Sequence, residues 1–172
     1  MSTHVTYPPL DVPKPVAEDV WIVDSGPIKS SGIPLPIRMT VLRLSGGGLL
    51  LHSPTRFSRT LLAELEKIGP IEHLLAPSIA HWQYVTHWQR ACPGATTRAV
   101  PKLAKRRQVR EAGLRIDREL DGRELHPWGS EIDHVVVPGG AGYREAALFH
   151  RPSRTLVLTD LVVNLERQKL PL

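Results

Sequence analysis

Only one cysteine, Cys92, occurs in 172 residues. The chain therefore cannot close an intramolecular disulfide or build a zinc site from several thiolates. Aromatic residues are scarce, nine in all, and four of the nine are tryptophans. No apolar run approaches the roughly 20 residues that span a bilayer. The first 20 residues carry four prolines and no apolar stretch of signal-peptide length. No membrane association is expected, and a cytoplasmic protein is. HExxH, GxSxG, GxxxxGK[ST] and a helix-opening GxGxxG are all missing, which removes the common metalloprotease, serine-hydrolase and nucleotide-binding signatures.

What is present points to a folded, loop-rich domain. Apolar residues make up 41% of the chain, enough for a real core, while 16 prolines and 13 glycines argue against a helical bundle. The net charge of +5 is local. From Arg98 to Arg123 there are nine basic and four acidic residues, so this stretch holds the whole excess. Lys102, Lys105, Arg106 and Arg110 fall on one broad side of an ideal helix. They make a candidate patch for a polyanion or an acidic partner, against the plainer reading of a solvated helix face. No aromatic residue lies between Arg98 and Arg123 to stack on bases, which argues against nucleic acid.

Residues 1–18 read as an extended, Pro-rich segment ahead of a single domain at 19–172. Trp21–Asp24 is a short strand closed by Ser25-Gly26-Pro27. Ile37–Leu44 and Leu49–Ser53 form a hairpin around Gly46–Gly48. Ser58–Gly69 is the clearest helix, with Ser58 as cap, an apolar stripe of Leu61, Leu62, Leu65 and Ile68, and Gly69-Pro70 as stop. His73–Ala76 is a buried strand, His81–Cys92 a second helix, Thr96–Val100 a strand and Lys102–Ala112 a basic helix. Asp133–Val137 is a strand, and Tyr143–His150 pairs with Thr155–Val163 across the turn at 151–154. Together these predict a mixed α/β sheet layered with helices.

Two residues stand out chemically. Asp160 interrupts the run TLVLTDLVV, where an ionised carboxylate needs a partner or a metal unless the strand has already ended. His81 falls on the apolar face of its predicted helix, directly after the strand–loop LLAPSIA, where α/β sheets place ligands. It reads either as a hydrogen-bonded core group or as a ligand. His87 lies about 120° further round such a helix and cannot readily share an ion with it. His52 closes another strand and is a candidate third member.

The segments LLLHSPT (49–55), ELEKIGPIEHLLAPS (64–78), AHWQYVTHWQ (80–89) and LFHRPSRTLVLTDLVVN (148–164) resemble the domain-of-unknown-function 4336 family, from about Trp21 to Asn164. That family is similar to the metallo-β-lactamase fold. The resemblance implies an αββα sandwich with a metal site at one edge. Asp160 sits where the metal-bridging aspartate is expected and His81 where the first histidine of an HxHxDH loop is expected. The remaining loop ligands fall on Gln83, Val85 and Thr86, and the later Gly-His becomes Pro138-Gly139-Gly140-Ala141-Gly142. The implied site is degenerate: zinc, iron or manganese on His81, Asp160 and His52 in a metal-dependent hydrolase of an unidentified small molecule. The alternative is a non-catalytic binding or structural module of the same fold. With twelve residues following Asp160 (161 to 172), the resemblance implies a C-terminally shortened sandwich. An exposed sheet edge there would call for a homodimer.

Overall fold

The computed structural model describes residues 5–30, 32–121, 126–163, 166 and 169. Among these residues ten strands form two sheets. The larger contains β1 (Lys14–Ala17), β2 (Val20–Ser30), β3 (Ile33–Arg43), β4 (Leu49–His52), β5 (Ile71–Ala76), β6 (Thr96–Ala99) and β7 (Arg118–Glu119), ordered as in the sequence. The smaller contains β8 (Ile132–Pro138), β9 (Arg144–His150) and β10 (Thr155–Val157), ordered β10-β9-β8 and antiparallel throughout.

Strand direction in the large sheet follows from connection length. β1 to β4 are antiparallel because each link is a tight turn. β4 to β7 are parallel because helices or longer loops intervene. The β3–β4 turn uses Gly47 at φ 86°. Gly69 is constrained from outside, since a Cβ there would meet the Gly47 carbonyl oxygen at 2.2 Å.

Helix α1 (Arg59–Glu66) starts as its sequence predicts. Ser58 lies in the extended region, and its Oγ accepts from the Leu61 amide at 3.1 Å. Leu61 and Leu65 supply its fully buried face. Ser58→Ala should lower stability by about 1 kcal/mol, read as a shift in the urea midpoint; Ser58→Gly should lower it by only a few tenths.

Helix α2 (Val85–Ala91) packs against β5. Trp88 anchors it, donating from Nε1 to the Thr55 carbonyl at 2.8 Å and meeting Phe57 edge-on.

The core lies on both sides of the large sheet. Leu49, Leu50, Leu51 and His52 are all buried, so β4 is covered on each face. Register pairs Leu50 with His73 and His52 with Leu75, which puts these four on one face. His73 meets the buried Trp128 there, 4.9 Å between ring centres, so this face turns inward. The result is three layers: helices, large sheet, small sheet. Among the described residues no α-helix covers the outer face of the small sheet, where Val135, Phe149 and Leu156 are exposed.

Several elements differ from the sequence reading. β2 does not stop at Ser25-Gly26-Pro27; it shifts register between Ser25 and Ile28 and runs on to Ser30. The Pro-rich lead-in contributes β1, which pairs with β2. The second helix begins at Val85 instead of His81, because the Ala80 amide turns back to Ser78 Oγ at 3.2 Å and the chain bends through 79–84. The basic helix is broken at Arg106, whose backbone is extended (ψ 132°). A 3₁₀ turn, Leu103–Lys105, precedes the break, and α3 (Arg107–Glu111) follows it.

Candidate functional site

Three loops converge at one end of the sheets. The first leaves β4, where His52 ends the strand and Ser53 follows in the left-handed region at φ 56°. The second leaves β5 and carries His81. The third leaves β10, which stops at Val157, and carries Asp160. Asp160 therefore does not share a strand face with Leu156 and Leu158. It sits in a bend beyond the strand end.

His81 and Asp160 meet. His81 Nε2 lies 3.2 Å from Asp160 Oδ1, and His81 Nδ1 lies 2.7 Å from Ser53 Oγ. Asp160, as carboxylate, only accepts, so Nε2 carries the proton and Nδ1 accepts from the Ser53 hydroxyl. This is an assignment from the network. The hydrogen bond from His81 holds the Asp160 carboxyl below its ordinary value, against the opposing effect of burial. The connectivity is serine–imidazole–carboxylate, but Ser53 is buried (7% exposed). The His81 and Asp160 side chains are 28% and 43% exposed. Ser53 thus fixes a tautomer, and the pair beyond it faces solvent.

Glu145 on β9 holds the third loop. Its side chain is fully buried, and its two oxygens accept from three consecutive amides: Thr159 at 2.6 Å, Asp160 at 2.8 Å and Leu161 at 3.0 Å. The Tyr143 hydroxyl donates to the same carboxylate. Burial alone would raise the Glu145 carboxyl, but these hydrogen bonds outweigh it and hold it low. Tyr143 is pushed up, chiefly by burial and then by that hydrogen bond. The start of β9 is also tied to the chain leaving β5, through a Ser78–Glu145 bridge and an Ala146 amide on the Pro77 carbonyl at 2.7 Å. One short stretch of β9 thereby positions the loops of both His81 and Asp160.

The pair opens onto a cavity of about 660 Å³. Leu35, Pro36, Ile37, Arg38 and Thr40 of β3 line it together with His52, His81 and Asp160. His52 is 1% exposed, and burial, followed by its neighbour His81, lowers it to about 3. Its Nε2 has no hydrogen-bond partner among the described residues. His52 therefore lies at the same cleft as His81 and Asp160 but is not bonded to either.

Among the described residues no group of three or more histidine, cysteine, aspartate or glutamate side chains comes close enough together to hold an ion. Catalytic zinc centres use three protein ligands and structural ones four.

The polyanion candidates lie away from the cleft. Lys102, Lys105, Arg106 and Arg110 are exposed, but the break at Arg106 prevents a continuous helical stripe. Arg110 folds back onto the Lys105 carbonyl and Arg107 pairs with Glu111. Arg98, counted in the same basic stretch, is buried with its guanidinium 4.7 Å from the Trp128 ring centre.

Sequence reasoning missed Glu145, Ser53 and Arg38. The signal for Glu145 was the single acid in the strand REAALFH, followed by Ala146 and Ala147, which are too small to shelter it. Ser53 and Arg38 looked like ordinary strand-end and strand residues.

The family described as Domain of unknown function (DUF4336) matches this chain over residues 18–172. No curated protein matches it. Among solved structures it is similar to a metallo-β-lactamase from Pontibacter korlensis, with a TM-score of 0.69 and 14% identity, covering 90% of this chain and 73% of that one. It is similar to a metallo-β-lactamase from Hirschia baltica, with a TM-score of 0.61 and 14% identity over 84% of this chain and 68% of that one. A putative diflavin flavoprotein fragment from Nostoc sp. gives a TM-score of 0.64 and 11% identity; the chain spans 64% of that fragment's length, with 85% of its own covered. At these identities the likeness is one of fold.

Proposed function

Because the chain belongs to the DUF4336 family and has the metallo-β-lactamase fold, we propose that it is a small-molecule-binding member of that fold whose metal centre has contracted to the His81–Asp160 pair. One observation carries this reading. At the open end of the cleft the imidazole is satisfied on both nitrogens, by Asp160 and by Ser53. It presents a fixed donor–acceptor pair where a metal centre would need free donors. Such a pair orients a ligand through its remaining carboxylate oxygen, and the cavity walls supply contact area.

A second reading, a hydrolase using one zinc, iron or manganese ion on His81, Asp160 and His52, draws on one feature. His52 is held neutral and its Nε2 is unpartnered among the described residues, as a metal ligand requires.

Metal analysis of protein purified without chelator separates the two. The binding reading expects far less than one equivalent per chain and a thermal midpoint unchanged by EDTA. Near one equivalent, lost in both Asp160→Ala and His81→Ala, would overturn it in favour of the metal-dependent hydrolase.

A further inference from the structure

The cleft carries a cation that the His81–Asp160 pair does not use. Arg38 lines the same cavity and its side chain is 48% exposed. Its Nε and Nη2 both lie 2.7 Å from Asp24 Oδ1, directly across the β2–β3 ladder. Asp24 is 1% exposed and is also paired with Lys14, which donates in addition to the Tyr7 carbonyl at 2.9 Å. One buried carboxylate thus serves two cations.

Glu166, at the cavity rim, faces the Tyr7 hydroxyl, and Lys169 stands 4.9 Å above the Tyr7 ring. Arg38 itself lies over that ring at 5.4 Å. Among the lining residues Arg38 is the arginine, and Asp24, Asp160 and Glu166 are the carboxylates; Asp24 is ion-paired to Arg38 and Asp160 is hydrogen-bonded to His81. Arg38 is fixed in orientation by Asp24 and Tyr7, while its Nη1 has no hydrogen-bond partner among the described residues. A pinned guanidinium with a free edge is a carboxylate receptor, because little side-chain entropy remains to be lost on binding. The apolar lining residues of the cavity are Leu35, Pro36, Ile37, Leu158, Val162 and Val163.

We propose that the ligand of this cleft is an amphipathic carboxylate, its acid group on Arg38 and its apolar body along Leu35, Pro36, Leu158 and Val162. This inference rests on the binding reading above and adds the chemical class of the ligand.

Calorimetric titration with three eight-carbon probes, octanoate, 1-octanol and octylamine, tests it. Octanoate should bind about tenfold or more tighter than the other two, the effect of about 1.4 kcal/mol from one charge-assisted contact. Arg38→Gln should erase that preference and leave 1-octanol binding within about twofold, while Arg38→Lys should retain part of it. The wild-type ranking needs no variant, so it holds as a test even if Arg38→Gln fails to fold. Equal binding of all three probes, or a preference for octanoate that survives in folded Arg38→Gln, overturns the carboxylate assignment and leaves the binding cleft standing. If none of the three binds, both fall.

Discussion

Glu145→Ala is expected to destabilise the protein by about 3 kcal/mol and to release Asp160 from His81. The wild-type carboxylate accepts from the amides of Thr159, Asp160 and Leu161 and from the Tyr143 hydroxyl. Hydrogen bonds to a charged acceptor contribute roughly 1.5–3 kcal/mol each. Four such bonds would suggest more, but Asp160 and Leu161 are exposed and their amides regain water when the acceptor goes. Tyr143 loses its partner in a partly buried place. Glu145→Gln should recover less than half of the loss, because the amide group that replaces one oxygen turns donors toward donors. The urea midpoint measures the stability change. The Asp160 amide resonance, shifted downfield by its charge-assisted bond, should move upfield in both variants. Wild-type stability in Glu145→Ala would mean that other contacts hold the loop.

Acid should unfold this protein well before its carboxylates protonate. Burial, reinforced by His81, lowers His52 to about 3, while Glu145 opposes the shift. Burial, then the adjacent Arg98, lowers His73 to about 4. In the unfolded chain both rings recover a value near 6.5. Below pH 6.5 the unfolded state therefore binds more protons than the folded state. Stability is whole above that pH and falls as pH drops toward 4 for His73 and toward 3 for His52. Each ring contributes up to about 1.4 kcal/mol per pH unit, so at pH 5 the two together remove roughly 4 kcal/mol. The depressed carboxyls of Asp160 and Glu145 act lower, losing their contribution only as pH falls below the ordinary carboxylate range. Urea midpoints between pH 5 and 7 should be flatter in His52→Gln and in His73→Gln than in the wild type. Parallel curves for all three would show that neither ring titrates on unfolding.

Elements with short-range signals were legible in the sequence. Ser58 and the leucine stripe of α1 marked that helix, and the hairpin around Gly46–Gly48 appeared as β3 and β4. The pairing of 143–150 with 155–163 appeared too, although β10 is only Thr155–Val157. Strand ends were less legible. β2 continues through Gly26-Pro27 because β3 offers partners on both sides of the bulge, and no local rule shows that. His81 sits on an apolar helical period, but Ser78 captures the Ala80 amide and delays the helix. Periodicity cannot register a competing side-chain acceptor. Arg38 and Glu145 matter because strands distant in sequence bring them to the cleft.

The attachment of both ligand-bearing loops to the start of β9 also bears on folding order. His81 and Asp160 are 79 positions apart, and the loop of His81 is held from the other sheet, by the Ala146 amide of β9 on the Pro77 carbonyl. Closing so long a segment carries an entropy penalty that nearby hairpins such as β3–β4 avoid. Contacts of high sequence separation slow folding and accrue late. In stopped-flow refolding, amides of β3 and β4 should become protected from exchange before the amide of Ala146, whose acceptor is the distant Pro77 carbonyl. The capacity to bind a probe should appear with that last phase, so that recognition in this cleft reports a completed chain.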